Sequence, residues 1–191
     1  MAAALFISKL AEPRHTVNII WRPSPTDKMA PPDTEMSLAL RQYSNWERSR
    51  HAIEQYRLER NLEYGPNVEP LQLPEQDDPT PVDKTGTLAG WGDIDEFNDE
   101  PLTLQKVNLT VFSYNYCDQY LSAPFDPAQD LCADVSANDQ GQCYGDGGGP
   151  LVVDGVQVGI ASWSLKPCTS APGVFTRVSP FRNWIKTVSG V

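Results

Sequence analysis

Beyond residue 85 the apolar positions fall into short alternating or β-branched runs, separated by Gly, Pro, Asp and Ser. That pattern predicts strands, because successive side chains of a strand face opposite sides of its sheet. Thr85–Trp91 and Thr103–Phe112 read as strands on this ground. Leu151–Val153 and Val156–Trp163 flank Asp154-Gly155, a pair that tolerates the positive φ of a tight turn, so they predict a hairpin. Gly173–Val178 reads as another strand, and Ser113–Leu121 as a short helix. The chain then predicts a terminal helix. Ser179 suits its N-cap and Pro180 its first helical position; Phe181, Trp184, Ile185 and Val188 form one apolar face expected to pack on the core.

The first 84 residues carry a weaker pattern. Pro13, Pro23, Pro25, Pro31 and Pro32 punctuate the opening zone, 1–40, and its strand-like run Thr16–Trp21 has no evident partner. Two readings compete from Met36 to Leu62. Apolar residues at loosely helical spacing, with Glu and Arg three or four apart, favour a helix. A family resemblance carried by residues further along the chain implies instead a strand followed by a loop over Tyr56–Val68. Pro66–Asp83 is rich in Pro and Asp and predicts a connector between two modules. No internal repeat is present.

Composition narrows the class. The 191 residues suffice for one substantial domain or two small ones, and 17 Pro with 13 Gly argue for a strand- and loop-rich body. A net charge of −10 disfavours nucleic acid and anionic membranes as partners. No apolar run approaches the roughly 18 residues of a membrane-spanning helix. The apolar stretch Ala2–Ile7 has no basic residue ahead of it and makes a poor signal peptide.

Cys117, Cys132, Cys143 and Cys168 all lie in the second half. Four cysteines allow three pairings, and arithmetic does not choose among them. An even number in one region predicts disulfides and an oxidising compartment. With no Cys-x-x-Cys pair and only His15 and His51 as imidazoles, no metal site is expected, and nothing implies a cofactor.

The segment with most chemistry in it is Gly145-Asp146-Gly147-Gly148-Gly149-Pro150-Leu151. In chain order it joins Gly90-Trp91-Gly92, the two cysteine spacings, Ser162-Trp163, Pro172–Val178 and the terminal helix. Over about residues 65–191 this series resembles the chymotrypsin/trypsin-like serine protease family. The resemblance implies an all-β fold, a chymotrypsin-like double β-barrel closed by a C-terminal α-helix. Residues 85–191 would form an intact second barrel. Residues 41–84 would be the remnant of an incomplete first barrel with its connector, and 1–40 would remain unmatched. The implied disulfides are Cys117–Cys132 and Cys143–Cys168. Closing loops of about 15 and 25 residues is worth roughly 3 and 3.5 kcal/mol by chain entropy.

Gly147 stands where the family carries its nucleophilic serine, and glycine has no side-chain atom able to attack a carbonyl. The family's general base lies in a Thr-Ala-Ala-His-Cys segment, which neither His15 nor His51 matches. Alignment on Arg57-Leu58 puts Ala52 at the position of the triad aspartate. No catalytic residue is therefore expected. Gly145 and Gly147 remain as an oxyanion-hole remnant. Gly141 would form the base of a specificity-pocket remnant, with Ser162, Trp163, Ser164 and Gly173 as walls. With no carboxylate at its base, that pocket would favour apolar or aromatic groups.

These features imply a non-catalytic serine protease homolog, a pseudoprotease, that binds a protein or peptide partner. The alternatives are a serine-type endopeptidase by descent, with chymotrypsin- or elastase-like specificity, and a non-functional truncated product. Family resemblance implies an extracellular location, where Asn108-Leu109-Thr110 would be an N-glycosylation sequon.

Overall fold

The computed structural model describes residues 71–94, 101, 104–121, 125–135 and 140–189, together with strands at 4–8, 16–21 and 54–57. Three antiparallel strands form the first sheet in the order β1 (Ala4–Ser8), β2 (Thr16–Trp21) and β3 (Glu54–Arg57). The Thr16–Trp21 run therefore has two partners, with Ala4 opposite Ile20 and Glu54 opposite Trp21. At 54–57 the helical reading of Met36–Leu62 is corrected to a strand. A weak helical stripe gives way where a neighbouring strand offers a complete ladder of backbone hydrogen bonds. The rest of that stretch lies outside the described residues.

Six strands close into a barrel in the order β4 (Thr85–Gly90), β5 (Gln105–Val111), β6 (Asp130–Asp134), β9 (Gly173–Arg177), β8 (Val156–Trp163) and β7 (Pro150–Val153). All neighbours are antiparallel, and β7 returns to pair with β4 through Thr87–Val152 and Leu88–Leu151. Leu88, Leu109, Val111, Leu131, Leu151, Val153 and Phe175 fill the interior. Gly159 permits the close approach of strands there, since a Cβ on it would lie 3.1 Å from the Cβ of Phe175. The β7–β8 turn is the expected one, with Asp154 at φ 50° and Gly155 at φ 80°. β6 is an element the sequence pattern did not announce. Its Asp130, Leu131, Cys132 and Ala133 are all buried, so it lacks the alternation that marks a half-exposed strand.

The first helix, α1 (Tyr114–Tyr120), starts where Ser113 Oγ accepts from the Tyr116 N–H at 3.4 Å. Its buried Cys117 is bonded to Cys132 of β6, and Cys143 is bonded to Cys168, both as the resemblance implied.

The terminal helix needs two corrections. Ser179 does not cap it; Ser179–Phe181 form a 3-10 turn, and α2 runs over Arg182–Ser189. The Ser179 hydroxyl donates instead to the Asp78 carbonyl at 2.9 Å. Of the expected apolar face, Ile185 is buried and Phe181 packs beside it, but Trp184 and Val188 are 41% and 58% exposed. At about 100° per residue, Trp184 lies a full step and Val188 about 60° round the axis from Ile185, on the flank of the stripe that faces solvent.

Residues 71–84 run along the barrel. Leu73 packs against Ile160, Val178 and Ile185, and the Gln76 side-chain oxygen accepts the Asn183 N–H at 2.8 Å at the start of α2. Arg177 clamps this strap. Its guanidinium donates to the carbonyls of Pro127 at 2.8 Å and Asp78 at 3.0 Å, and to Ser179 Oγ at 3.3 Å. Arg177→Ala is expected to cost about 1–2 kcal/mol in urea unfolding, the worth of partly exposed charge-assisted bonds. It should also speed hydrogen exchange at the Asp77 N–H, which is bonded to the Ser179 carbonyl.

Candidate functional site

Residues 143–149 form a tight loop, held at one end by the Cys143–Cys168 bridge. Within it the Asp146 N–H donates to the Cys143 carbonyl at 3.2 Å and the Gly149 N–H to the Asp146 carbonyl at 2.8 Å. The loop is stitched to β8 by two 2.8 Å bonds, Gly148 N–H to Ala161 O and Ala161 N–H to Gly149 O. Gly145 and Gly148 take φ values of 90° and 88°, which side chains rarely adopt. Gly147 is not among the positive-φ glycines, so its backbone does not demand glycine. The N–H groups of Gly145 and Gly147 donate to no acceptor among the described residues.

Asp146 is 7% exposed and turned inward. Its carboxylate accepts from the Gly92 N–H at 2.9 Å and the Cys143 N–H at 3.0 Å. Gly92 has to be glycine, because a Cβ there would run into the Asp146 carboxyl group. Burial raises the Asp146 pKa above the ordinary carboxylate value, while the two N–H bonds pull it down. The folded chain therefore takes up this proton more readily than the unfolded one. The stability this supplies is complete below the unfolded pKa of 3.8 and is lost as pH rises through the raised folded value. The thermal midpoint is expected to fall with rising pH across that window, and Asp146→Asn should flatten the slope. An unchanged slope in the variant would show that other groups cause it.

A broad groove of about 900 Å³ is lined by Gly141, with Gly90, Gln105, Lys106, Tyr144 and Lys166 among others, but not by Ser162, Trp163, Ser164 or Gly173. Lys166 Nζ lies 4.3 Å from the centroid of the Tyr144 ring at its rim.

Trp163 and Gly173 meet instead at Gln142, a residue that no sequence motif marks out. It is only 2% exposed. With its amide oriented to satisfy both neighbours, it accepts from the Trp163 N–H at 3.3 Å and donates to the Val174 carbonyl at 3.2 Å. The available signal was its place between Gly141 and Cys143, since a polar side chain there must find partners if buried. Ser164 Oγ lies 3.8 Å from Cys168 Sγ, and the buried Ser162 Oγ has no hydrogen-bond partner among the described residues. Ala52, His15 and His51 lie outside the described residues. Among those described, no group of three or more His, Cys, Asp or Glu is placed to hold a metal.

Residues 29–185 match the family described as Trypsin. The chain belongs to the trypsin family. This trypsin-family chain is 30% identical over 175 residues to snake venom serine protease rhinocerase 4 of Bitis rhinoceros, covering 90% of this chain and 66% of that protein. Mouse neuropsin, titled a serine protease expressed in the limbic system, superposes with a TM-score of 0.67 at 25% identity, over 96% of this chain and 83% of that one. Human heparin binding protein does so with a TM-score of 0.62 at 34% identity, over 71% and 57%. The chain spans 58–66% of the length of the first three curated relatives it matches. The six-stranded barrel with its terminal helix fits the expected chymotrypsin-like second barrel.

Proposed function

We propose that this trypsin-family chain is a non-catalytic, extracellular member that binds a protein or peptide partner. The observation that carries the reading is Gly147. It lies in a loop whose Gly145 and Gly147 N–H groups have no acceptor among the described residues, and it supplies no side-chain nucleophile beside them. The one carboxylate of the loop, Asp146, is buried against Gly92 and Cys143 and faces its own backbone donors. Two disulfides and a relative named as a venom protease support the extracellular location. One structural neighbour is titled a heparin binding protein, but a chain with a net charge of −10 favours a neutral or basic protein surface over a polyanion.

The second reading, an endopeptidase like its relatives, is favoured by their names alone. Incubating the whole purified chain with a serine-directed fluorophosphonate probe separates the two. No labelling is expected. Labelling at any serine would overturn the non-catalytic reading.

A further inference from the structure

Strands β8 and β9 are in register from Gly159–Arg177 to Ala161–Phe175, then skip Ser162 and resume at Trp163–Val174. The skipped residue marks a bulge, where a ladder ordinarily leaves backbone groups without partners. The Gln142 amide sits at that point. It supplies an acceptor to the Trp163 N–H on one strand and a donor to the Val174 carbonyl on the other. Its stem lies on Gly173, whose missing side chain makes the room, since a Cβ there would be 2.9 Å from the Gln142 Cβ. A primary amide is the side-chain group that offers one such donor and one such acceptor a single carbon apart.

We propose that the space between β8 and β9 is a primary-amide site that the chain fills with its own Gln142, and that Gln142 thereby sets the ligand specificity of this surface. The inference deepens the binding reading above and rests on it for its biological meaning. While Gln142 is in place, no side chain of a partner enters here. A bound peptide is recognised through its backbone and through whatever it meets in the open groove along Lys106, Tyr144 and Lys166. On this inference the space between the strands is closed by a polar group with both bonds satisfied, and does not take the apolar or aromatic groups expected of the pocket remnant.

The test uses the whole chain and acetamide, which carries the same donor and acceptor as the glutamine side chain. In the wild type the Gln142 side-chain NH₂ protons should be protected from exchange, and acetamide should leave the Trp163 amide resonance unmoved. In Gln142→Ala the Trp163 N–H should exchange about tenfold faster, the equivalent of one lost hydrogen bond. Acetamide should then shift its resonance saturably and raise the thermal midpoint, whereas acetone, an acceptor without a donor, should do neither. Gln142→Met, which keeps the volume and loses the amide, should show the fast exchange without acetamide binding. Equal acetamide binding to wild type and Gln142→Ala would overturn the proposal. So would unprotected NH₂ protons in the wild type, a measurement that stands even if a variant fails to fold. Fluorophosphonate labelling would defeat the non-catalytic reading while leaving these amide results readable.

Discussion

Gly147→Ser is expected to produce no measurable peptidase, although it restores a hydroxyl beside the N–H groups of Gly145 and residue 147. A serine hydroxyl attacks a carbonyl only when a base takes its proton as the bond forms. Asp146, the nearest carboxylate in sequence, is bonded to the Gly92 and Cys143 N–H groups at 2.9 and 3.0 Å. Turning it outward would strip both donors of their acceptor. Removing a complete Ser-His-Asp unit costs on the order of 10⁶ in kcat and leaves roughly 10³–10⁴ over water from backbone donors and binding. That remainder lies far below the detection limit of a chromogenic peptide assay. The variant should also resist the fluorophosphonate probe, which needs the same activated oxygen. Cleavage of an apolar chromogenic peptide would mean that an imidazole reaches the loop, and loss of that cleavage in Gly147→Ser with His51→Ala would identify it.

The second large effect is on stability. Phe175→Ala is expected to lose about 3–5 kcal/mol in urea unfolding, against a typical total of about 5–15 kcal/mol for a domain. Phe175 is fully buried on β9 among Leu88, Leu109, Leu131 and Leu151. The strands around it are closed into a barrel and held by backbone ladders on both sides, so they cannot collapse into the vacated space. Gly159 adds to the loss, because it contributes no side chain that could swing inward. A loss under about 1 kcal/mol would show that the barrel interior relaxes far more than a closed sheet should.

Much of the barrel was legible because local chemistry and tertiary context agree there. Asp154-Gly155 is a turn pair in any context, and Ser113 caps α1 with a bond made inside its own first turn. Other features were hidden for identifiable reasons. β6 buries Asp130 together with Leu131, Cys132 and Ala133, so its polar and apolar residues do not alternate and leave no period to read. Trp184 and Val188 looked like core because a stripe of apolar residues does not disclose how much of its width the barrel covers, and only Phe181 and Ile185 reach it. The partners of Thr16–Trp21 lie on both sides in sequence, one of them more than thirty residues away, beyond the reach of a local pattern.

The amino-acid order alone determined the family motifs and the half-cystines that resemblance then paired. It also determined the absence of a nucleophile at residue 147, because these depend on which residue occupies which position. Only the tertiary structure decided what surrounds each of them. It turned Asp146 inward to Gly92 and inserted the Gln142 amide between Trp163 and Val174. The physical reason is that a buried polar group must take its partner from whatever segment the fold brings within about 3 Å, and no period along the chain encodes that choice.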